Sequence, residues 1–240
     1  MPHNVPIFVY PPERDIHISR MIISSGSWEA DLIAEMVEAM KRSPDATFID
    51  IGANIGIYSV TMAALGYRVI AVDCFIENVM RLCASSIYAN ITNKISIIHN
   101  GLSDKRAQLQ LIESSEPNVG GMEVQTISPG VTSTNITSVN AVLLDDLLEI
   151  FPIKRAVIKM DVEKHEDEIL KGASNFFNTV QVDCVLLEFR FHTKDKTGQF
   201  IIDFLHRYDL EPVLPEHMKR LNYSMWPGDL IFQRKRKLSM

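Results

Sequence analysis

The sequence predicts an α/β fold in which helices cover both faces of a mostly parallel sheet. Apolar segments with strand character alternate with segments of helical periodicity over most of the 240 residues. The segment TFID at 47–50 runs into a turn containing Gly52 and Gly56, and then into a helical pattern. Polar side chains follow the predicted strands at their carboxyl ends, where open parallel sheets bind ligands.

The composition predicts a folded protein with a sizeable core. Hydrophobic residues make up 46 % of the chain, charged residues 22 %, and the formal net charge is −6, which gives no global attraction to nucleic acid. The three cysteines lack the spacing of a disulfide framework or a structural zinc site. The sequence shows no signal peptide and no apolar span of about 18 residues, so we expect a cytoplasmic protein without a membrane partner.

One domain is expected over residues 28–234, after an irregular or short-stranded lead-in at 1–27 and before a basic tail at 235–240. Ser27 is predicted to cap a helix over 28–40. Sequence rich in Gly, Ser, Thr and Asn breaks the alternation at 107–140 and predicts a hairpin or a surface excursion. The other predicted strands are 67–72, 94–99, 156–160, 182–189, 211–214 and 229–233. The other predicted helices are 57–65, 77–89, 143–148, 166–171 and 197–208.

Acids, amides and histidines at five strand ends predict a binding site along one edge of the sheet. They occur at Asp50, Asp73, 100–104, 161–165 and 188–192. Asp73 follows Gly52 by about 20 residues, the distance at which an acid after the second strand accepts hydrogen bonds from ribose hydroxyls. A helix N-cap is the alternative for Asp73. Asp104 is a candidate acceptor for an adenine amino group, with a plain turn residue as the alternative.

The glycine turn distinguishes two adenosine cofactors. A dinucleotide site needs the pattern GxGxxG, but Asn54 and Ile57 occupy two of the glycine positions. Asp50 precedes the turn, and its carboxylate would repel a pyrophosphate but attract an ammonium group. We therefore expect S-adenosylmethionine, with amides of the turn as donors and Asp50 as acceptor. An NAD-linked dehydrogenase is the less favoured alternative.

Three blocks of the sequence resemble the FkbM-type family of class I methyltransferases. They are FIDIGANIGIYS at 48–59, LLDDL at 143–147 and VIKMDVEKHEDEILKGA at 157–173. The resemblance implies a Rossmann-like sheet of seven strands and the O-methylation of a sugar or another small hydroxylated acceptor. It also implies that S-adenosylmethionine is held by residues of the turn and the following strand ends. These residues are Asp50, Gly52, Ala53, Asn54, Gly56, Tyr58, Asp73, Cys74, Ser103, Asp104 and Asp161.

Two positions depart from the family pattern. The family usually has Glu-Pro after the second strand, where this chain has Asp73 and Cys74, and its Asp-Val-Glu-Gly becomes DVEK at 161–164. If the missing glycine needs a positive φ, Lys164 strains the turn; otherwise Lys164 only borders the pocket. The lysine and the excursion at 107–140 leave open a second hypothesis, a catalytically idle binding module.

The predicted catalytic residues are Asp161, Glu163, His165 and Glu188. In-line methyl transfer requires alignment of the acceptor oxygen, and often removal of its proton. Asp161 is expected to face the methyl group. His165 is expected to be the general base, because the unperturbed pKa of histidine is about 6.5. Glu163 and Glu188 are expected to orient His165 or to bind acceptor hydroxyls.

Each catalytic assignment has a structural alternative. Asp161 would be a helix N-cap, Glu163 a first-turn acid that interacts with the helix dipole, and His165 a surface residue. Glu29 is expected to help close the pocket. No metal is predicted, although Asp161, Glu188 and His192 form an alternative site for a divalent cation, with His192 expected to be solvated.

Overall fold

The computed structural model describes residues 5–112, 117–119, 122–126 and 137–235. Its helices are α1 (Ile18–Ser25), α2 (Ala30–Arg42), α3 (Ile57–Ala64), α4 (Ile76–Tyr88), α5 (Leu147–Ile150), α6 (Glu166–Lys171), α7 (Ser174–Thr179), α8 (Lys196–His206) and α9 (Glu216–Lys219). Its strands are β1 (Thr47–Ile51), β2 (Arg68–Asp73), β3 (Ile95–His99), β4 (Gly101–Leu102), β5 (Ala107–Ile112), β6 (Glu123–Thr126), β7 (Ser138–Val142), β8 (Arg155–Met160), β9 (Gln181–Glu188), β10 (Leu210–Pro212) and β11 (Asp229–Arg234). Residues 236–240 of the predicted basic tail lie outside the described residues.

Seven strands form the main sheet in the order β10-β11-β9-β8-β1-β2-β3. The pairs from β9 to β3 are parallel, whereas β11 is antiparallel to both β9 and β10. The predicted Rossmann-like, seven-stranded and mostly parallel sheet is therefore confirmed. Strand order reverses between β1 and β8, so a ligand is expected at the carboxyl ends of these two strands.

Helices cover both faces of this sheet because its central strands are apolar on both sides. All five residues of β1 are buried. Phe48 belongs to a cluster that contains Met36 of α2 and Leu82 of α4. The next residue, Ile49, points the other way, into a cluster that contains Phe176 of α7 and Phe204 of α8. No helix in the described part of the chain is both long and apolar enough to cross a membrane.

A second sheet, in the order β4-β7-β5-β6, forms where the sequence predicts a hairpin or excursion. Strands β5 and β6 are antiparallel and form the predicted hairpin, and β7 pairs with the other edge of β5. Leu109 and Val139 are buried between this sheet and Phe75, which precedes α4. The excursion is thus a small sheet packed beside the carboxyl edge of the main sheet. Its residues 113–116, 120–121 and 127–136 lie outside the described part.

The lead-in and the first predicted helix differ from expectation. Residues 18–25 form helix α1 rather than an irregular or short-stranded segment. The buried carboxylate of Asp15 accepts hydrogen bonds from the amides of Ile18 (3.1 Å) and Ser19 (2.9 Å) at the start of this helix. The next helix, α2, begins at Ala30. Its preceding residue is Glu29, which has a left-handed φ of 47° and no side-chain cap, so the predicted cap at Ser27 is wrong.

Candidate active site

A cavity of about 310 Å³ lies at the carboxyl ends of β1, β2, β8 and β9. The main sheet contributes strand-end residues to its wall, and α1, the start of α2 and the second sheet complete it. The polar wall residues from the main sheet include Asn54, Asp73, Asp161, Glu163 and Glu188. This is the position at which an open parallel sheet binds its ligand.

The two turn glycines are required by packing of the protein against itself. Gly52 has φ +74°, and a Cβ there would lie 1.8 Å from the carbonyl oxygen of Asp161. Gly56 has φ +91°, and a Cβ there would lie 2.2 Å from Leu82 Cδ1 of α4. Of the two glycines that the resemblance implies for the cofactor, Gly52 lines the cavity and Gly56 packs against α4 instead.

Asp50 lies beneath the turn and not in the cavity wall, which corrects its predicted contact with a cofactor ammonium group. Its side chain is fully buried, and Oδ2 accepts a hydrogen bond from Ser59 Oγ at 2.6 Å. Its Oδ1 lies 3.8 Å from Lys159 Nζ. Burial raises the pKa of Asp50, although Lys159 and Ser59 act in the opposite direction. Asp50 is a partner of a buried lysine.

Lys159 is a buried residue beside the cavity that the sequence reasoning missed. Its buried Nζ donates a hydrogen bond to the carbonyl oxygen of Gly52 at 2.7 Å and lies 3.4 Å from Asp161 Oδ2. Burial alone would lower the pKa of Lys159, but Asp161 and Asp50 raise it above its ordinary value, so the side chain is a cation. A lysine in the otherwise apolar strand AVIKM was the available signal.

Ala53 and Tyr58 are both buried and do not line the cavity, so direct contact of these two predicted residues with a ligand is not supported. Tyr58 acts through its hydroxyl, which donates to Glu29 Oε2 at 2.8 Å. Glu29 does line the cavity, and burial raises the pKa of its carboxyl group. Tyr58 thus holds the acid at the start of α2 against the cavity.

Asp73 lies in the cavity wall, and its side chain is held there by hydrogen bonds. The N-cap residue of α4 is Phe75, so the alternative role of Asp73 as a helix N-cap is wrong. Asp73 Oδ2 accepts from the amide of Asn54 at 2.8 Å, and its Oδ1 accepts from the amide of Phe75 at 2.8 Å and from Asn78 Nδ2 at 3.2 Å. Burial raises its pKa despite these bonds. Asn54 and Cys74 line the cavity as well. Burial raises the pKa of Cys74 to about 12, so its thiol is not a thiolate at neutral pH.

The end of the third strand does not contribute the predicted residues. Ser103 and Asp104 lie outside the cavity wall, which is formed there by Asn100, Gly101 and Leu102. Ser103 is buried, and its Oγ lies 3.0 Å from His165 Nε2. The cofactor contacts of Ser103 and Asp104 stay predictions, and Ser103 also contacts a predicted catalytic residue.

Three acids come together on the other side of the cavity. One carboxylate oxygen from each of Asp161, Glu163 and Glu188 lies within 4.8 Å of the other two. Burial, with the charge of Asp161, raises the pKa of Glu163 to about 7 and that of Glu188 to about 9. Arg190 Nη2 lies 2.6 Å from Glu188 Oε1.

The two histidines of this region have different surroundings. His165 lines the cavity, and burial lowers its pKa, so the ring is neutral at neutral pH. His192 is not solvated as predicted, because it is 2 % exposed and its ring nitrogens contact Glu166 Oε2 at 2.7 Å and Thr197 Oγ1 at 2.6 Å. It is therefore not available for the alternative cation site, where Glu163 stands beside Asp161 and Glu188 instead.

The turn between β8 and α6 has two residues with left-handed backbone, Glu163 (φ 52°) and Lys164 (φ 76°). The position at which the family pattern has glycine thus does have a positive φ, and Lys164 strains the turn. Lys164 Nζ also pairs with Glu123 of β6, which joins this turn to the second sheet.

The chain is similar to several solved structures. An FkbM methyltransferase from Methylobacillus flagellatus KT is 18 % identical with a TM-score of 0.50; the match covers 78 % of this chain and 44 % of that one. WbdD is 12 % identical with a TM-score of 0.52, and the match covers 100 % of this chain and 46 % of that one. A putative methyltransferase from Streptococcus mutans in complex with SAH is 11 % identical with a TM-score of 0.44, covering 78 % of this chain and 86 % of that one. The chain spans less than half the length of the first two.

The similarity extends to sequence. A search among curated proteins gives no match. The family model of the methyltransferase FkbM domain matches residues 50–212, which is more than half of the chain. This range runs from the end of β1 to β10 and includes the glycine turn, Asp73 and the three clustered acids. On this match, and with a fold shared by class I methyltransferases, the chain belongs to the FkbM methyltransferase family.

Proposed function

We propose that the protein is an S-adenosylmethionine-dependent methyltransferase that O-methylates a small hydroxylated acceptor such as a sugar. The observation that carries this proposal is one cavity with two chemically different ends. Asp73 follows β2, whereas Glu188 ends β9, and the strand order separates β2 from β9 by three spacings, roughly 14 Å. One end thus suits a ribose, and the other suits groups that donate hydrogen bonds to carboxylates.

The residues at the β1 and β2 end fit the cofactor. The carboxylate of Asp73 lies in the wall of a cavity whose volume is typical of small-molecule sites. The amides of Asn54 and Phe75 fix the orientation of this carboxylate. Its remaining lone pairs can therefore accept hydrogen bonds from a ligand without further loss of side-chain entropy. Asp73, with Gly52, Asn54 and Cys74, would hold S-adenosylmethionine. When bound, that cofactor supplies a methyl group on a positively charged sulfur.

The residues at the β8 and β9 end fit an acceptor and the removal of its proton. His165 Nε2 contacts Ser103 Oγ, so one ring nitrogen is oriented by the serine while the ring faces the cavity. A neutral histidine in this position would accept the proton of an acceptor hydroxyl. Asp161, Glu163 and Glu188 would bind and orient the acceptor hydroxyls.

Calorimetry with S-adenosylmethionine and its demethylated product tests the cofactor. The unaltered chain is expected to bind both, and Asp73→Asn is expected to weaken binding by about 10- to 100-fold, as for the loss of hydrogen bonds to a charged group. Asp31→Asn is the matched control, because Asp31 is an exposed acid of α2 outside the cavity wall, and binding should not change. Equal unfolding midpoints would show that both variants are folded.

Two results would contradict the proposal. If the unaltered chain binds neither form of the cofactor, the protein is not a methyltransferase of this kind. If the cofactor binds but sugars and other small alcohols are not methylated, the protein is a binding module with this fold.

A further inference from the structure

Asp161, Glu163 and Glu188 form a group of oxygen ligands with the geometry of a cation site. They belong to three different segments, the end of β8, the turn after it, and the end of β9. One oxygen from each lies within 4.8 Å of the other two. Side-chain rotations would need to bring the oxygens only slightly closer, to the roughly 3 to 4 Å that separates ligands around Mg²⁺. Three carboxylates without nitrogen or sulfur ligands favour a hard divalent cation.

A second, independent observation also indicates a missing ligand. Glu188 is 3 % exposed, and its Oε1 is paired with Arg190. Its Oε2 is buried and has no hydrogen-bond partner in the described structure. An unpaired carboxylate oxygen out of water is costly, so such atoms in native proteins usually have a partner. The residue faces the cavity, where a bound cation would supply that partner.

The charge of the surroundings agrees with a cation. Besides the three acids, the carboxyl groups of Glu29 and Asp229 each interact electrostatically with Asp161. The opposing cations are Lys159, shared between Asp50 and Asp161, and Arg190, beside Glu188. The carboxyl groups outnumber these cations, and a bound charge of +2 would offset the repulsion among the carboxyl groups in their ionised forms.

We propose that Asp161, Glu163 and Glu188 bind a divalent cation of the Mg²⁺ class. Cation binding itself does not depend on the proposed function. The role of the cation does depend on the proposed function: the cation would bind an acceptor oxygen at the acid end of the cavity and position that oxygen for methyl transfer. In that reaction the acceptor oxygen loses its proton to His165 and forms a bond to the methyl carbon. The carbon–sulfur bond breaks, and its electron pair stays on sulfur.

Mn²⁺ is the probe, because it prefers the same oxygen ligands and its free form has a strong electron paramagnetic resonance signal. Without cofactor, the unaltered chain is expected to remove one equivalent of free Mn²⁺ from solution, and Mg²⁺ should compete. Glu163→Gln and Glu188→Gln should each weaken binding by at least about tenfold. Glu168→Gln is the matched control: this acid of α6 pairs with Lys171, outside the three-acid cluster, and its loss should leave Mn²⁺ affinity unchanged.

Two outcomes would overturn the cation site: no saturable Mn²⁺ binding, or equal affinity in Glu163→Gln, Glu188→Gln and Glu168→Gln. Glu163 is less buried than Glu188. The Glu163→Gln variant is therefore expected to fold even if Glu188→Gln does not, and it then tests the site alone. Binding of the demethylated cofactor in the presence of EDTA separates the two proposals. If that cofactor binds and Mn²⁺ does not, only the cation site fails; if Mn²⁺ binds and the cofactor does not, only the proposed function fails.

Discussion

Gly52 and Gly66 both have left-handed backbone, but their surroundings differ. A Cβ on Gly52 would meet the carbonyl of Asp161, whereas nothing lies within 4 Å of a Cβ on Gly66. The contact at Gly52 is where the turn after β1 approaches the end of β8. A glycine at position 52 therefore lets the turn after β1 and the end of β8, which both line the cavity, pack directly against each other.

We expect Gly52→Ala to destabilise the protein by about 3 kcal/mol or more, because it adds a backbone clash to the strain of a left-handed alanine. Gly66→Ala should cost only about 1 kcal/mol, from the left-handed conformation alone. The free energies of unfolding from denaturant titrations give both values. Equal losses would mean that the carbonyl of Asp161 can move away without cost.

At the scale of elements, the turn between β8 and α6 has a conformation that its sequence does not favour. Lys164 has a φ of 76°, where a glycine would be unstrained. The turn also directs Glu163 into the cavity and Lys164 toward Glu123 of the second sheet. The strain is thus located where the chain must orient a site residue.

Lys164→Gly should give a more stable protein than Lys164→Ala, by about 1 kcal/mol. Both variants lose the pair with Glu123, so the comparison isolates the cost of the left-handed backbone. Thermal or denaturant unfolding of the two variants measures it. A more stable alanine variant would show that residue 164 is not left-handed in solution.

The strands of the main sheet could be predicted because apolar, β-branched segments such as the one containing Ile49 allow few alternatives. The second sheet was only partly predictable, since β6 is mainly polar and β7 alternates polar and apolar residues over only five positions, and both become strands by pairing with β5. The site was predicted by position along the chain, and this identified Asp73, Glu163 and Glu188. Position does not give side-chain direction, and so Asp50 was placed in the cavity although its side chain is fully buried beneath the turn.

For the whole molecule, Asp183 joins elements that are distant in sequence. It lies on β9 and pairs with Arg155 of β8, and Ser43 after α2 and Gln181 also donate to it. Burial acts to raise the pKa of Asp183, but these hydrogen bonds outweigh it and hold the pKa below its ordinary value. The ionised form is therefore favoured by folding, and its contribution is present above the unfolded pKa, about 3.9.

Asp183→Asn should lower the free energy of unfolding at pH 7 by about 1 to 3 kcal/mol, as for lost hydrogen bonds to a charged group. The difference from the unaltered chain should shrink as the pH falls below about 4 and through the lower pKa of the folded state. Asp31→Asn, at an exposed acid of α2, controls for the loss of one negative charge. A difference that does not depend on pH would mean that ionisation of Asp183 is not what stabilises the fold.

The position of β11 between β9 and β10 constrains how the sheet can be completed during synthesis. In the main sheet β10 pairs only with β11, yet it precedes β11 in the chain. On the ribosome β10 therefore has no neighbour until residues 229–234 have emerged and paired with β9. A chain cut before Asp229 loses two strands from the sheet, not one. The edge of β9 then stays exposed, as an unpaired strand that other chains can join, until that last segment is in place.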